Sequence, residues 1–203
     1  MNEGRFTVLP EARLKALRPE VERWLRQAAA QCCGGGFDEV FDAGMRTLLS
    51  DCFRRLDADE GTVWLLDETS EFLIPRYNSG PNAARFVGQH QQSVGSGMIS
   101  MVLATEQPIC ENQVHRSTLQ DTRLDEKLGL RTCAMLAVPL AFIGEIRGVV
   151  SCVQLAKAGG DADGKPGFRP HHLATLESTV GIVSRLLEAR LISLCLDLET
   201  LTR

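Results

Sequence analysis

Residues 133–142 and 146–155 are two apolar runs joined by the short connection Ile143-Gly144-Glu145. Val138, Val149, Val150 and Val153 favour extended backbone, and glycine in so short a link between two such runs predicts a β-hairpin. Nearly every position is apolar, so both faces of these strands need cover. Pro139 has no N–H for a ladder and calls for an edge position or a bulge.

The rest of the chain is patterned around that hairpin. Residues 10–31 place Leu14, Leu17, Val21, Trp24 and Ala28 at steps of three and four, a narrow helical seam. Pro19 implies a kink or restart in that helix. Gly34-Gly35-Gly36 is expected to end it. A second helix is predicted over 37–56, with a wide stripe running from Phe37 through Met45 and Leu49 to Leu56 that suits a sheet surface. Strands are predicted at 62–67 and 72–78, with a turn at 68–70 between them. A helical turn is expected within 81–87, a polar strand at 89–94, a short helix at 97–105 and a strand at 109–111. Residues 112–128 read as a polar loop with a helical turn around 121–127. The stretch 156–167, AKAGGDADGKPG, is an excursion rich in turn formers. From residue 169 onward the spacing predicts one long helix, with Leu173, Leu176, Val180, Val183, Leu187, Leu191, Leu194, Leu198 and Leu201 on its apolar side. Its second half, 191–201, has nothing left in the domain to cover it and is expected to seek a partner helix.

This order predicts an α+β fold: a central antiparallel sheet with helices on one face and a ligand pocket on the other, flanked by long N- and C-terminal helices. The expected division is an arm and glycine linker over 1–36, one domain over 37–189 and a coiled-coil extension over 190–203.

A length of 203 residues suits one domain with flanking elements. With 44% apolar and 24% charged residues the composition is that of an ordinary globular chain. A net charge of −4 gives no electrostatic reason to expect nucleic acid or an anionic membrane. No run is long enough to span a bilayer, and the N-terminus lacks the apolar core of a secretory signal. Seven scattered cysteines without a C-x-x-C pair fit reduced thiols in a cytoplasmic protein better than a zinc or disulfide framework.

Catalytic signatures are missing. The triple glycine leads into Phe37-Asp38 rather than a phosphate-binding lysine, and neither G-x-S-x-G nor H-E-x-x-H occurs. The adjacent His171 and His172 would point about 100° apart on a helix, a poor start for a metal site. No enzyme activity, resident cofactor or metal is expected.

The pattern LGLRTCAMLAVPL…IRGVVSCVQL resembles the GAF domain, the small-molecule sensor module of signalling proteins. The strand around 61–67, the Gly95-Ser96-Gly97-Met98-Ile99 helix start and Glu106-Gln107-Pro108-Ile109 match in the same order, so the resemblance covers about 37–189. It implies a regulatory domain that binds a small ligand, with a cyclic nucleotide as one candidate, and that acts as a homodimer through its terminal helices. Laid on the pocket segments of cyclic-nucleotide GAF domains, the ligand-binding residues implied are Thr62, Tyr77, Asn78, Met98, Ile99 and Thr132. The match is incomplete: Asn78 stands where a purine-reading carboxylate is expected, and Ser151 where another acidic residue is typical. Independently, the free N–H groups after Gly95-Ser96-Gly97 offer a place for an anionic ligand group. Two alternatives go with the family: a dimerisation scaffold whose pocket is filled by Trp64, Met98 and Met135, and a free-methionine-sulfoxide reductase using Cys110 and Cys133, with Arg131 near Cys133 to activate the thiol.

Overall fold

The apolar hairpin is the centre of a six-stranded antiparallel sheet in the computed structural model, which describes residues 12–160 and 164–195. The strands are β1 (Glu60–Leu66), β2 (Phe72–Asn78), β3 (Gln92–Ser93), β4 (Ile109–Glu111), β5 (Leu130–Phe142) and β6 (Glu145–Lys157), in the spatial order β3-β2-β1-β6-β5-β4. Both hairpin strands outrun their apolar cores by two or three residues. The turn between them uses Ile143 at φ +52° and Gly144 at φ +75°. Two left-handed residues in a two-residue loop match the twist of the strands they join. A β-branched residue resists that conformation, and Ile143 is anchored there by its N–H, which donates to Glu188 Oε1 at 2.8 Å. Pro139 pairs with Val149, beyond the reach of β4, and the register slips immediately after it between Leu140 and Ala141. It thus has both a locally free edge and an adjacent bulge.

The helices are α1 (Ala12–Gln31), α2 (Phe37–Val40), α3 (Ala43–Arg55), α4 (Met98–Thr105), α5 (Arg123–Leu128) and α6 (Pro170–Cys195). One face of the sheet, with Val63, Leu65, Leu136, Val138, Leu140, Val150 and Cys152, packs on α3, α6 and the phenylalanines Phe37 and Phe41. The other carries Trp64, Leu73, Ala137 and Val149 against Ile99 and Val102 of α4. Strand alternation produces the two sets, and the cover that the hairpin demanded is present on both sides.

Four expectations are corrected. The glycines do not end the first helix: residues Cys32–Gly36 continue as a π-helical turn into α2. Burial of Cys32, Cys33 and Phe37 compensates for the poor helix propensity of glycine, and Arg76 Nη2 donates to the carbonyls of Cys33 at 2.6 Å and Gly34 at 2.7 Å. The second helix is broken instead at Phe41–Asp42, where Asp42 Oδ1 accepts the Met45 N–H at 3.0 Å as the N-cap of α3. The polar strand shrinks to Gln92–Ser93. On α6, which runs unbroken past residue 189, Leu191 is buried in the core, and the apolar residues facing outward are Ile182, Leu186, Ile192 and Leu194. Leu198 and Leu201 lie outside the described residues, as does Leu14 for its side chain. Pro19 sits inside α1 without ending it.

Candidate functional site

Between the sheet and a roof made by the start of α4 and by α5 lies a cavity of about 90 Å³. Its floor follows from alternation. Glu60, Thr62 and Trp64 of β1 point into it, as do Ser151, Val153 and Leu155 of β6, while the residues between them face the helices. Met98 and Ile99 close it from α4, and Leu124, Asp125 and Leu128 from α5. His90, Gln92, Gln120 and Asp121 supply its polar walls.

Gly97 makes the roof possible. At φ +87° it takes a conformation that side chains avoid, and a Cβ there would lie 2.9 Å from Gln92 Nε2 and 3.3 Å from Asp121 Cβ. The Asp121 carboxylate therefore lies against the opening of α4. It accepts Gln92 Nε2 at 3.1 Å and the Arg123 guanidinium at 2.5–3.0 Å, and the hydrogen bond from Arg123 above all holds it well below the usual carboxylate range. The place that the sequence offered to an anionic ligand is thus next to a carboxylate of the protein itself, already paired with Arg123.

Asp125 fastens the roof to the floor. Its carboxylate accepts the Thr132 N–H at 2.7 Å, the Thr132 hydroxyl at 2.8 Å and Gln120 Nε2 at 2.9 Å. Burial raises its pKa, and these bonds oppose the rise. A second tie runs from Arg85 Nη2 to the Lys127 carbonyl at 2.9 Å, near the end of α5. Glu60 is 6% exposed, and burial is the main reason that its pKa is raised. Among the described residues its one hydrogen bond is from Asn78 Nδ2 to Oε1 at 3.3 Å. Trp64 Nε1 donates to Ser151 Oγ at 3.0 Å, and His90 meets the indole edge-on at 6.1 Å. Burial lowers the His90 pKa first, with Arg123 and Lys127 adding to it, so the ring is neutral at pH 7.

Of the residues that the sequence pointed to, Thr62, Met98, Ile99 and Thr132 line the cavity. Asn78 is buried behind them, donating to Thr62 Oγ1 at 2.9 Å while its Oδ1 accepts the Gly80 N–H. Tyr77 is on the other side of the sheet. Its hydroxyl is 2.6 Å from Ser50 Oγ of α3 and its ring packs on Phe41, so it cannot stack on a ligand in this cavity. Neighbours on a strand face opposite ways, so Tyr77 and Asn78 could never both be wall residues. Glu60 was missed although its spacing of two from Thr62 puts it on the same face. Asp125 gave no comparable signal, because it sits on a six-residue helix in a polar stretch.

Neither cysteine considered for redox chemistry is activated. Burial pushes both thiols up, with Glu111 adding to the effect at Cys110, and at Cys133 the nearby Lys165 and Arg131 oppose it only partly.

No curated protein matches the chain. Several solved structures share its fold. The GAF domain of a phosphoenolpyruvate-protein phosphotransferase from Coxiella burnetii is 18% identical, with a TM-score of 0.58 over 82% of this chain and 90% of that one. The second GAF domain of DevS from Mycobacterium smegmatis is 19% identical, with a TM-score of 0.52 over 73% of this chain and 91% of that one. A type II free methionine-R-sulfoxide reductase from Thermoplasma acidophilum is 14% identical, with a TM-score of 0.51 over 82% and 94% respectively. A sequence profile of the GAF domain matches residues 38–188, spanning the sheet, the cavity and most of α6, and the chain belongs to the GAF domain family.

Proposed function

We propose that this chain is a ligand-sensing regulatory domain that binds a small molecule in the cavity and passes occupancy to its terminal helices. The observation that carries this reading is the cavity itself. Trp64, Met98 and Met135 all reach it and still leave about 90 Å³ open, which disfavours a scaffold with a filled pocket. Its roof is two short helices held by few bonds, the kind of element that a ligand can shift. A cavity of this size is below the roughly 300–1,000 Å³ of drug-sized ligand sites. Only a small ligand fits without movement of α5, and a cyclic nucleotide would require the roof to open and its phosphate to sit among acidic walls.

The output is a homodimer that pairs through the outward residues of α1 and α6. Leu17 and Trp24 are 50% and 42% exposed, and Ile182 and Leu186 are 50% and 43% exposed, apolar surface on both long helices that a partner would cover. The role is non-enzymatic, in keeping with the raised pKa values of both candidate thiols. Seven unpaired cysteines suit a reducing compartment such as the cytoplasm. No described helix is long and apolar enough to cross a membrane.

Native mass spectrometry of freshly purified protein, compared with the denatured mass, tests both parts. A dimer carrying extra mass on each chain is the expected result. A bare monomer at tens of micromolar that shows no thermal shift with any small metabolite in a broad screen overturns the reading.

A further inference from the structure

We propose that the ligand is a small organic monocation, its ammonium or guanidinium head between Glu60 and Asp125 and its apolar stem against Trp64, Met135 and Val153. This rests on the sensor reading above and specifies its ligand class. The charges lining the cavity are one-sided: Glu60, Asp121 and Asp125 contribute carboxylates, and no lysine or arginine is among the lining residues. Asp121 is neutralised by Arg123, and Asp125 is engaged by three donors. Glu60 is different. It is more than nine-tenths buried, its Oε2 lies against Gly80 and accepts no hydrogen bond among the described residues, and the charged neighbours acting on it, Asp59 and Asp125, are both acidic. Asp59 is itself paired with Lys165 at 2.8 Å, so that lysine is not available to Glu60.

A buried carboxylate without a counter-charge is costly, and a bound cation is what removes the cost. The wall provides more than charge. Among the described residues His90 Nε2 is buried with no hydrogen-bond partner, and in the tautomer protonated at Nδ1 it accepts an N–H from a ligand. The Trp64 indole adds an aromatic surface of the kind that attracts ammonium and guanidinium groups.

The same features exclude other occupants. Among the described residues no three His, Cys, Asp or Glu side chains converge closely enough to hold a metal ion. An anion, or the carboxylate of a zwitterion, would find no cationic side chain in the lining and would face Glu60. Room for only a few heavy atoms favours a short amine.

The test is a titration of the whole chain at pH 7 with butylamine, 1-butanol and butyrate, followed by saturation-transfer NMR. The three share a stem and differ in charge. Butylamine is expected to bind at least about tenfold tighter than 1-butanol, with butyrate weakest, and Glu60→Gln should abolish that preference. The wild-type series stands alone if the variant fails to fold. Equal binding of amine and alcohol, tighter binding of butyrate, or a copurified ligand that is neutral or anionic overturns the cation inference and leaves the sensor reading intact. No binding by any of the three, with no copurified ligand, overturns both.

Discussion

Removing the Asp125 carboxylate by Asp125→Ala should release α5 from the sheet without unfolding the domain. Three hydrogen bonds disappear, two of them from Thr132, which is 6% exposed. A hydrogen bond to a charged group is worth roughly 1.5–3 kcal/mol net, and water can reach part of this site because Asp125 is only half-buried, so about 2 kcal/mol of local stability is the reasonable figure. That corresponds to a roughly 30-fold faster exchange of the Thr132 amide. Asp125→Asn keeps one acceptor oxygen and should fall between the two. The assay is residue-resolved hydrogen–deuterium exchange at pH 7 under conditions where exchange reports opening equilibria. Amides of Thr132 and α5 should accelerate while those of Val63, Val138 and Val150 keep their rates. Unchanged exchange at Thr132, or equal acceleration throughout the sheet, would refute the account of Asp125 as the fastening between roof and floor.

Burial raises the Glu60 pKa above its ordinary 4.5, so the folded chain holds a proton that the unfolded chain has lost. The stability tied to this group is therefore complete below about pH 4.5 and declines as pH rises through the raised value. Glu60→Gln should flatten that decline and stabilise the protein at pH 7, read from urea midpoints between pH 4 and 8; a steeper decline would contradict it. Gly148→Ala drives a Cβ into the Trp64 carbonyl oxygen across the central β1–β6 pair, and about 4 kcal/mol or more should be lost in chemical denaturation. Gly181→Ala on the exposed side of α6 meets nothing within 4 Å and should gain roughly 0.5–1 kcal/mol in the same experiment. Ser151→Ala leaves the Trp64 indole N–H without its partner at a cost of about 1–3 kcal/mol. In a Trp24→Phe background the emission of Trp64 should shift as well.

The sheet was legible because its signals are local. Valine-rich runs with glycine between them specify the hairpin, and β2 falls on the residues that its pattern marks. Most of the cavity floor follows from counting by twos along β1 and β6 from Thr62 and Ser151. What the sequence hid depends on contacts distant in the chain. Three consecutive glycines read as a helix stop, and they stay helical because Arg76, forty-odd residues away, holds the carbonyls of Cys33 and Gly34. The seam from Leu191 onward read as a free edge, yet Leu191 is a core residue because α6 packs on the sheet and on α1. Asp125 became part of the site only when its short helix docked on Thr132.

The register of β1 with β2 skips Arg76: Val63 pairs with Tyr77 and Trp64 with Pro75. This one-residue bulge turns Arg76 towards the helical side while Asn78, two residues on, keeps its hold on Thr62 at the cavity. In mechanical terms the N-terminal arm hangs from β2 as a lever from a pin. The glycines have no side chains to resist twisting, so torque on α1 that its packing on α6 does not absorb passes through two hydrogen bonds from one guanidinium to a strand that also touches the cavity wall. Shearing that pin would leave the arm held by its packing on α6 and the cavity standing.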